Sequence, residues 1–311
     1  MDDDQMQEIL VFPGLTSLTV EGPSITDALA PTIAECRGLS SLALRNTLIG
    51  DSGISQLTGL KSLKIIDLRV SPMVTDATLA ALATMSDLRA VRLLGCNVTD
   101  DGIHSLMALP RLTELDVRNC RGVTKAGIRQ LTNKPTLRVL KIGGPKVDDA
   151  VLKVVGTLAG LTSLSLDNCP VTDAGVRELG SLPLTDLTIY QCSTVTDQGL
   201  AMLSKCDRIE RLTLRDVPAK GAALAELPEP EKLVSLNMAQ SGIGDEQVKH
   251  LVAMTRLQTL NLSETEVGDA AIETLEKMAS LKELVLAQTN VSGEGKERLV
   301  AALRNCNVQA D

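Results

Sequence analysis

The sequence predicts an α/β solenoid of short repeats, each made of one strand, one turn and one helix. The stretch LTSLSLDNCPVTDAGVRELGSLP, which begins at Leu161, shows the unit. Leu161, Leu164 and Leu166 alternate as in a half-buried strand, and apolar residues then recur at helical spacing. Approximate copies of this stretch fill most of the 311 residues. One Phe, one Tyr and no Trp leave a core of thin aliphatic layers, which suits a solenoid.

Twelve copies align on the first strand leucine, with a modal step of 24 residues. They begin at Leu15, Leu39, Leu60, Leu88, Leu112, Leu137, Leu161, Leu184, Ile209, Leu233, Leu257 and Leu281. Such units cannot bury their own apolar face, so stacked neighbours supply the core. We therefore expect one elongated repeat domain at 15–292, an N-terminal cap at 1–14, and a C-terminal capping helix and tail at 293–311. In the N-terminal cap, we expect the apolar cluster Ile9, Leu10, Val11 and Phe12 to cover the first layer.

Four repeats place a cysteine eight residues after the first leucine and then continue into Val-Thr-Asp or Val-Thr-Lys. These are Cys96, Cys120, Cys169 and Cys192. With the pattern LxxLxL, this resembles the cysteine-containing class of leucine-rich repeats, which includes the substrate-binding halves of F-box ubiquitin-ligase receptors. The resemblance implies a right-handed horseshoe with a parallel β-sheet on its concave face and helices on its convex face. It also implies macromolecule binding without catalytic residues. We expect no F-box, in contrast to those receptors, because there is no room for one before Leu15.

Repeat three departs from the period, because counting from Leu60 leaves additional residues at 69–73, before Val74. An insertion in a solenoid has to leave the stack at a turn, so we expect a surface loop there. Turns that border a sheet are frequent binding edges, and a tolerated loop without a function is the alternative.

An aspartate recurs at the start of nine predicted helices, often directly after a threonine. The column comprises Asp27, Asp51, Asp76, Asp100, Asp149, Asp173, Asp197, Asp245 and Asp269. Calcium binding or acid catalysis would use such a column. However, each aspartate also stands where it caps the free N–H groups of its own helix and complements the helix dipole. We therefore expect these residues to be helix caps.

The composition excludes several classes of site and function. The seven cysteines occupy repeat columns, so we expect reduced core thiols, and no Cys/His cluster has the spacing of zinc ligands. We expect no catalytic residues and no cofactor. A net charge of −8 opposes non-specific nucleic-acid binding. No apolar run reaches the roughly 18 to 20 residues of a membrane span, and MDDDQMQEIL lacks the features of a signal peptide, so we expect a cytoplasmic protein.

The solvent-facing positions of the strands supply the candidate binding site. Because the leucines at offsets 0, 3 and 5 point inward, offsets 4 and 6 point to solvent on the inner curve. In repeats two to six these columns combine basic residues with an exposed apolar pair, and the set is Arg45, Lys64, Ile66, Arg92, Leu94, Arg118 and Lys141. Arginines around exposed apolar side chains are typical of interface anchors. A solvated face without a partner is the alternative.

A second candidate patch surrounds Tyr190, the single tyrosine of the chain, together with Arg211 and Arg215. The two patches predict a non-enzymatic scaffold for protein–protein interaction, whose partner presents an acidic and partly apolar surface. The alternative is a substrate-recognition adaptor or effector module, similar to the ubiquitin-ligase receptors, that works with a separate enzyme.

Overall fold

The computed structural model describes residues 2–9 and 14–310 and divides into two compact units, Met1–Val147 and Asp148–Asp311. Each unit is a series of repeats in which a short parallel strand is followed by a loop and a helical segment. The predicted α/β repeat architecture is therefore confirmed. Of the proposed N-terminal apolar cluster, Leu10, Val11 and Phe12 lie outside the described residues.

Within residues 2–9 and 14–147, the first unit contains six parallel strands that lie side by side in sequence order. They are β1 (Ser17–Glu21), β2 (Ser41–Arg45), β3 (Ile65–Asp67), β4 (Ala90–Arg92), β5 (Glu114–Asp116) and β6 (Val139–Gly143). Its helices are α1 (Asp3–Ile9), α2 (Ala30–Glu35), α3 (Asp51–Gln56), α4 (Asp76–Leu82), α5 (Asp100–Leu106) and α6 (Lys125–Gln130). Single 3-10 turns at Asp27–Leu29, Leu57–Gly59 and Leu131–Asn133 adjoin α2, α3 and α6.

The second unit has seven parallel strands, again in sequence order. They are β7 (Ser163–Asp167), β8 (Asp186–Tyr190), β9 (Arg211–Arg215), β10 (Ser235–Asn237), β11 (Thr259–Asn261), β12 (Glu283–Val285) and β13 (Asn307–Gln309). Its helices are α7 (Asp149–Val155), α8 (Asp173–Arg177), α9 (Asp197–Leu200), α10 (Asp245–Val248), α11 (Ile272–Leu275) and α12 (Gly293–Ala302). The 3-10 segments are Glu178–Ser181, Ala201–Lys205, Ala222–Glu226, Pro230–Lys232, Lys249–Ala253 and Asp269–Ala271.

The core consists of stacked aliphatic layers. Leu39, Leu42 and Leu44, at offsets 0, 3 and 5 of repeat two, are completely buried. Parallel pairing keeps equivalent residues opposite each other, as with Leu42 and Ile66. Each layer is therefore completed by the next repeat rather than by its own, as expected of a solenoid.

Repeat three begins at Leu63, so the prediction that it begins at Leu60 is wrong. Its inward residues are Leu63, Ile66 and Leu68, all buried, and Ile66 lies opposite Leu42 of repeat two. From Leu63 the repeat has 25 residues, only one more than the modal 24. The expected insertion is therefore a loop that is one residue longer than usual. Its Ser71 is buried in the column that cysteine occupies in the following repeats.

A threonine caps six of the helical segments. The side chains of Thr26, Thr75, Thr99, Thr124, Thr172 and Thr196 each accept a hydrogen bond from a backbone N–H two residues further on. This is the usual N-cap geometry. The hydroxyl satisfies one of the N–H groups that the first turn of a helix leaves without an intrahelical partner.

The prediction that the aspartates cap their own helices is wrong. Their side chains accept hydrogen bonds from the next repeat instead. Asp173 accepts from both the backbone N–H and the hydroxyl of Thr196, each at 2.7 Å. Asp51, Asp76, Asp100 and Asp149 each accept from the following repeat's threonine in the same way. Each of these five aspartates is therefore a staple between repeats, and the threonine that it holds caps the next helix.

At the two ends of the described chain, α1 and β13 make contacts like those between neighbouring repeats. In α1, Asp3 accepts from the backbone N–H and the hydroxyl of Thr26 at 3.0 and 2.6 Å, so it acts as the staple for the first repeat. At the other end, α12 lies within the predicted capping segment. The sequence did not predict β13, which follows α12 and pairs with β12, with Val308 opposite Leu284.

Candidate functional site

The predicted basic residues are interleaved with acidic ones on the solvent side of the first unit's sheet. Parallel pairing places Ala43, Asp67, Arg92, Asp116 and Lys141 in one row across β2 to β6. From Asp67 onward the sign of the charge alternates along this row. The register of the repeats thus places Arg92 between two carboxylates and Lys141 beside one.

Asp67 is held by two arginines. It accepts from Arg45 Nε at 2.8 Å, and from Nε and Nη2 of Arg69, both at 2.8 Å. Its side chain is only 1% exposed. Burial acts to raise the pKa of Asp67, but the hydrogen bonds from Arg69 and Arg45 outweigh burial and lower it. Asp67 is therefore an ionised buried carboxylate that fixes two guanidinium groups.

The next two repeats build an equivalent arrangement. Asp116, with a side chain only 1% exposed, accepts from Nε and Nη2 of Arg118 at 2.9 and 2.8 Å. Glu114 accepts from Nε and Nη2 of Arg92 at 2.7 and 3.1 Å, and Lys141 Nζ lies 3.9 Å from Glu114 Oε1. The hydrogen bond to Glu114 raises the pKa of Arg92, so this arginine remains charged.

The carboxylates and the guanidinium groups lie at different depths. The side chains of Asp67 and Asp116 are buried, whereas those of Arg45 and Arg92 are 36% and 27% exposed. The part of this face that solvent reaches is therefore mainly positive. The row of paired residues, in contrast, has nearly balanced charge. Two-point hydrogen bonds also restrict the arginine rotamers, which lowers the entropy lost when a partner binds.

Two of the predicted site residues do not belong to this face. Ile66 is completely buried, so it is a core residue and not an exposed anchor. Lys64 is exposed but sits at offset 1, before β3, rather than in a face column. Both errors follow from starting repeat three at Leu60. Counting from Leu63 reveals the residues that the prediction missed, namely Asp67 at offset 4 and Arg69 at offset 6.

Leu94 remains on the solvent-facing side as predicted, and it is half-buried. Its backbone oxygen accepts from the N–H of Val70 at 2.7 Å, and the Gly95 N–H donates to Arg118 O at 2.9 Å. Leu94 therefore lies between Arg69 and Arg118 in the offset-6 row. The structure brings together Arg45, Arg69, Arg92, Leu94, Arg118 and Lys141, which we call the arginine face.

Comparison with known proteins identifies the fold. A family model described as Leucine Rich repeat matches residues 161–180. The chain has the leucine-rich repeat fold. An internalin (inlF) from Listeria monocytogenes str. 4b F2365 is similar at a TM-score of 0.63 and 24% identity, over 98% of this chain and 88% of that chain. The yeast complex of Rad7 and Elc1 is similar at a TM-score of 0.73 and 18% identity, over 99% and 83%. No curated protein matches the sequence.

The structure brings Arg215, but not Arg211, to Tyr190 in the second candidate patch, because β8–β9 pairing sets Arg215 opposite Tyr190 and Arg211 opposite Asp186. Arg215 stacks over the ring of Tyr190, 5.3 Å from its centroid, and its Nε donates to Gln240 Oε1 at 3.1 Å. Arg211 pairs with Asp186, one strand away. Because Arg215 covers one face of the ring, Tyr190 is a smaller apolar anchor than the sequence suggested.

Of the seven cysteines of the chain, Cys96 and Cys120 have a structural role. All seven are free, and Cys96 Sγ and Cys120 Sγ each donate to a carbonyl of the preceding repeat at 3.0 Å. Burial raises the pKa of Cys96 to about 11 and that of Cys120 to about 12, so neither thiol is activated as a nucleophile. Among residues 2–9 and 14–310, no cluster of His, Cys, Asp or Glu is arranged to hold a metal ion. None of the helices in the same residues has the length and hydrophobicity that crossing a bilayer requires.

We expect the first unit to lose stability in acid through two carboxylates that accept several hydrogen bonds. The pKa values of Asp51 and Asp67 are below the ordinary 3.8: burial acts to raise both, but hydrogen bonds to Thr75 and Thr78, and to Arg69 and Arg45, outweigh it. A carboxylate with a lowered folded-state pKa contributes stability above its unfolded pKa and loses it as pH falls through the folded value. The melting temperature of Asp67→Asn should therefore fall less between about pH 7 and pH 3 than that of wild type. Asp4→Asn, in the exposed part of α1, is the control, and equal falls in all three proteins would contradict this.

Proposed function

We propose that the chain is a non-enzymatic protein-binding scaffold and that the arginine face captures its partner. The observation that carries the proposal is the layered charge of this face. Arg45, Arg69 and Arg118 are partly exposed above the buried carboxylates of Asp67 and Asp116. A partner binds such a face at a lower cost in entropy, because the arginine side chains are already ordered.

The half-buried Leu94 completes the chemistry of a binding anchor. Arginine is enriched among the residues that dominate binding energy, and such residues surround apolar contacts from which water is excluded. The partner that fits is a protein surface with carboxylates around an apolar side chain, because exposed guanidinium groups form two-point hydrogen bonds with carboxylates. One of the solved structures of similar fold is itself a complex of two proteins, Rad7 and Elc1.

The alternative function, a substrate-recognition adaptor, requires in addition a stable contact with a separate enzyme. The described residues include no feature that favours it over a simple scaffold. The two functions differ in what is captured, since an adaptor retains its enzyme even when the arginine face is altered.

The test is quantitative capture of proteins from a lysate of the source organism by wild type and by Arg92→Gln/Leu94→Ser. Losing a central arginine and its neighbouring leucine should cost at least about 2 kcal/mol, or about 30-fold in affinity. The control is Lys153→Gln/Thr157→Ser, which alters exposed residues of α7 and its end. A partner retained by the control and lost by the face variant supports the proposal. Identical captured proteins from all three would contradict it.

A further inference from the structure

The loops that follow strands β2 to β6 form a continuous edge of the first unit. We call residues 45–49, 69–74, 94–98, 118–123 and 143–147 the loop edge. Backbone hydrogen bonds connect successive loops, from Asn46 N to Arg69 O at 2.9 Å, from Val70 N to Leu94 O at 2.7 Å, and from Asn119 N to Gly143 O at 3.1 Å. The loops are therefore held in register with the strands and present a preformed surface.

One end of the loop edge is apolar and exposed to solvent. Leu48, Val70 and Met73 are 40%, 50% and 53% exposed, and they lie in two adjacent loops. The half-buried Leu94 continues this surface into the next loop through the hydrogen bond from Val70. Large apolar side chains grouped in this way mark interaction sites, whereas isolated ones do not. In the second unit, the exposed Val252 and Val300 lie instead on helical segments.

Val70 also has an unfavourable backbone conformation. Its φ is +60°, in a column of left-handed residues that contains Asn46, Asn119, Asn168 and Gly95. Asparagine and glycine adopt this conformation readily, but a β-branched residue there is an outlier with a real energetic cost. Because half of Val70 faces solvent, burial in the core does not offset that cost. A contact between the Val70 side chain and a partner would explain why a valine occupies this exposed and strained position.

The charge of the loop edge is opposite to that of the whole protein. Within its five segments the sequence has five basic residues and no Asp or Glu, and the basic residues are Arg45, Arg69, Arg118, Arg121 and Lys146. The equivalent loops of the second unit, residues 167–171, 190–195, 215–219, 239–243, 263–267 and 287–291, contain four acidic residues and one basic residue. The chain as a whole has a net charge of −8. The positive charge is therefore a local property of this edge.

We infer that the loop edge binds an extended, acidic protein segment that places leucine-sized side chains on Leu48, Val70 and Met73. The inference rests on the proposed protein-binding function, extends the arginine face into the adjoining loops and states the chemistry of the partner. Parallel strands lie about 4.8 Å apart, so five loops span about 19 Å, which is the length of about six extended residues. The carboxylates of the segment pair with Arg121 and Lys146, and its apolar side chains cover the exposed valine and methionine.

The experiment uses a fluorescein-labelled ten-residue peptide with four glutamates and three leucines among serines, followed by anisotropy at low salt. Wild type should bind it, and versions with Gln for Glu or Ser for Leu should bind at least about tenfold more weakly. Val70→Asn and Arg121→Gln/Lys146→Gln should each lose at least about fivefold. Gln240→Asn, in the equivalent left-handed column of the second unit, should bind like wild type.

Val70→Asn distinguishes binding from folding, because asparagine relieves the left-handed strain and should raise the melting temperature while it weakens binding. A spectrum of methyl-labelled methionines gives a direct readout, since the exposed Met73 should shift with peptide while the buried Met85 should not. Loop variants that bind the peptide as well as wild type overturn the inference. Duplex DNA that binds as tightly as the peptide also overturns it, because charge alone would then account for binding.

The same variants separate this inference from the proposed function. If Arg92→Gln/Leu94→Ser loses the lysate partner and the loop variants keep both partner and peptide, the proposed function stands and the loop edge fails. If the loop variants lose the peptide while Arg92→Gln/Leu94→Ser keeps the lysate partner, the loop edge stands and the arginine face fails.

Discussion

Replacing Leu187 by aspartate is expected to unfold several repeats of the second unit together. Leu187 is 1% exposed in β8 and lies opposite Leu164 on one side and Leu212 on the other. A carboxylate at this position would stand in an aliphatic layer, where an ionised group without a partner is strongly unfavourable. We expect the free energy of unfolding to fall by at least about 4 kcal/mol. Single substitutions cause losses of this size only through mechanisms such as the burial of an unpaired charge.

The loss should be cooperative, because neighbouring repeats share the layer that Leu187 completes. Thermal unfolding followed by circular dichroism should show an early transition with a large fraction of the total amplitude. Thr188→Asp introduces the same charge on the half-buried, opposite face of the same strand. This control should melt close to wild type. A Leu187→Asp protein that melts with Thr188→Asp would show that the strand register described above is wrong.

The fold could be predicted because the leucine period has a direct physical meaning. Residues such as Leu161, Leu164 and Leu166 alternate along a strand and are all buried. That alternation depends only on strand geometry, and the missing half of each core has to come from a neighbouring copy. No detailed knowledge of packing is therefore needed to obtain the strands, the helices and their stacking.

The candidate site was predictable only where the register was correct. Arg45, Arg92, Leu94 and Arg118 reach the arginine face because their repeats were aligned correctly. Ile66 was misplaced because Leu60 and Leu63 are both buried leucines, and a shift of the strand count exchanges inward and outward residues. The pairing of Asp67 with Arg69 follows once Leu63 is taken as the start.

The hydrogen-bond donors to the aspartate column could not be predicted from the sequence of a single repeat. A carboxylate at a helix start suits both the N–H groups of its own helix and those of its neighbour. The choice depends on the distance between stacked helices, which a local pattern does not contain. A glycine two residues after four of the nine aspartates carries part of the missing information, because each of these glycines lies against the aspartate carboxylate of the preceding repeat.

Adding one methyl group at Gly175 is expected to destabilise the second unit by about 2–3 kcal/mol. A Cβ built there would overlap with Asp149 Oδ1 and lie 2.8 Å from its Cγ. Asp149 is the staple that accepts from the N–H and the hydroxyl of Thr172, at 2.7 and 2.6 Å. Gly175→Ala would force this carboxylate away and break both hydrogen bonds. Gly293→Ala, where the same methyl meets no atom within 4 Å, should instead be neutral or slightly stabilising.

A double-mutant cycle with Asp149→Ala tests whether the glycine exists to admit the staple. Asp149→Ala alone should cost about 1–2 kcal/mol, because the two hydrogen bonds from Thr172 to the Asp149 carboxylate are lost. Once the carboxylate is absent, the methyl group of Gly175→Ala no longer has to displace it. The double variant should therefore be at least about 1 kcal/mol more stable than the sum of the two single losses predicts. Denaturant unfolding of the four proteins measures this coupling. Additive losses would mean that Gly175 is required for a reason other than Asp149, and the Thr-Asp-x-Gly pattern would then not encode the contact between repeats.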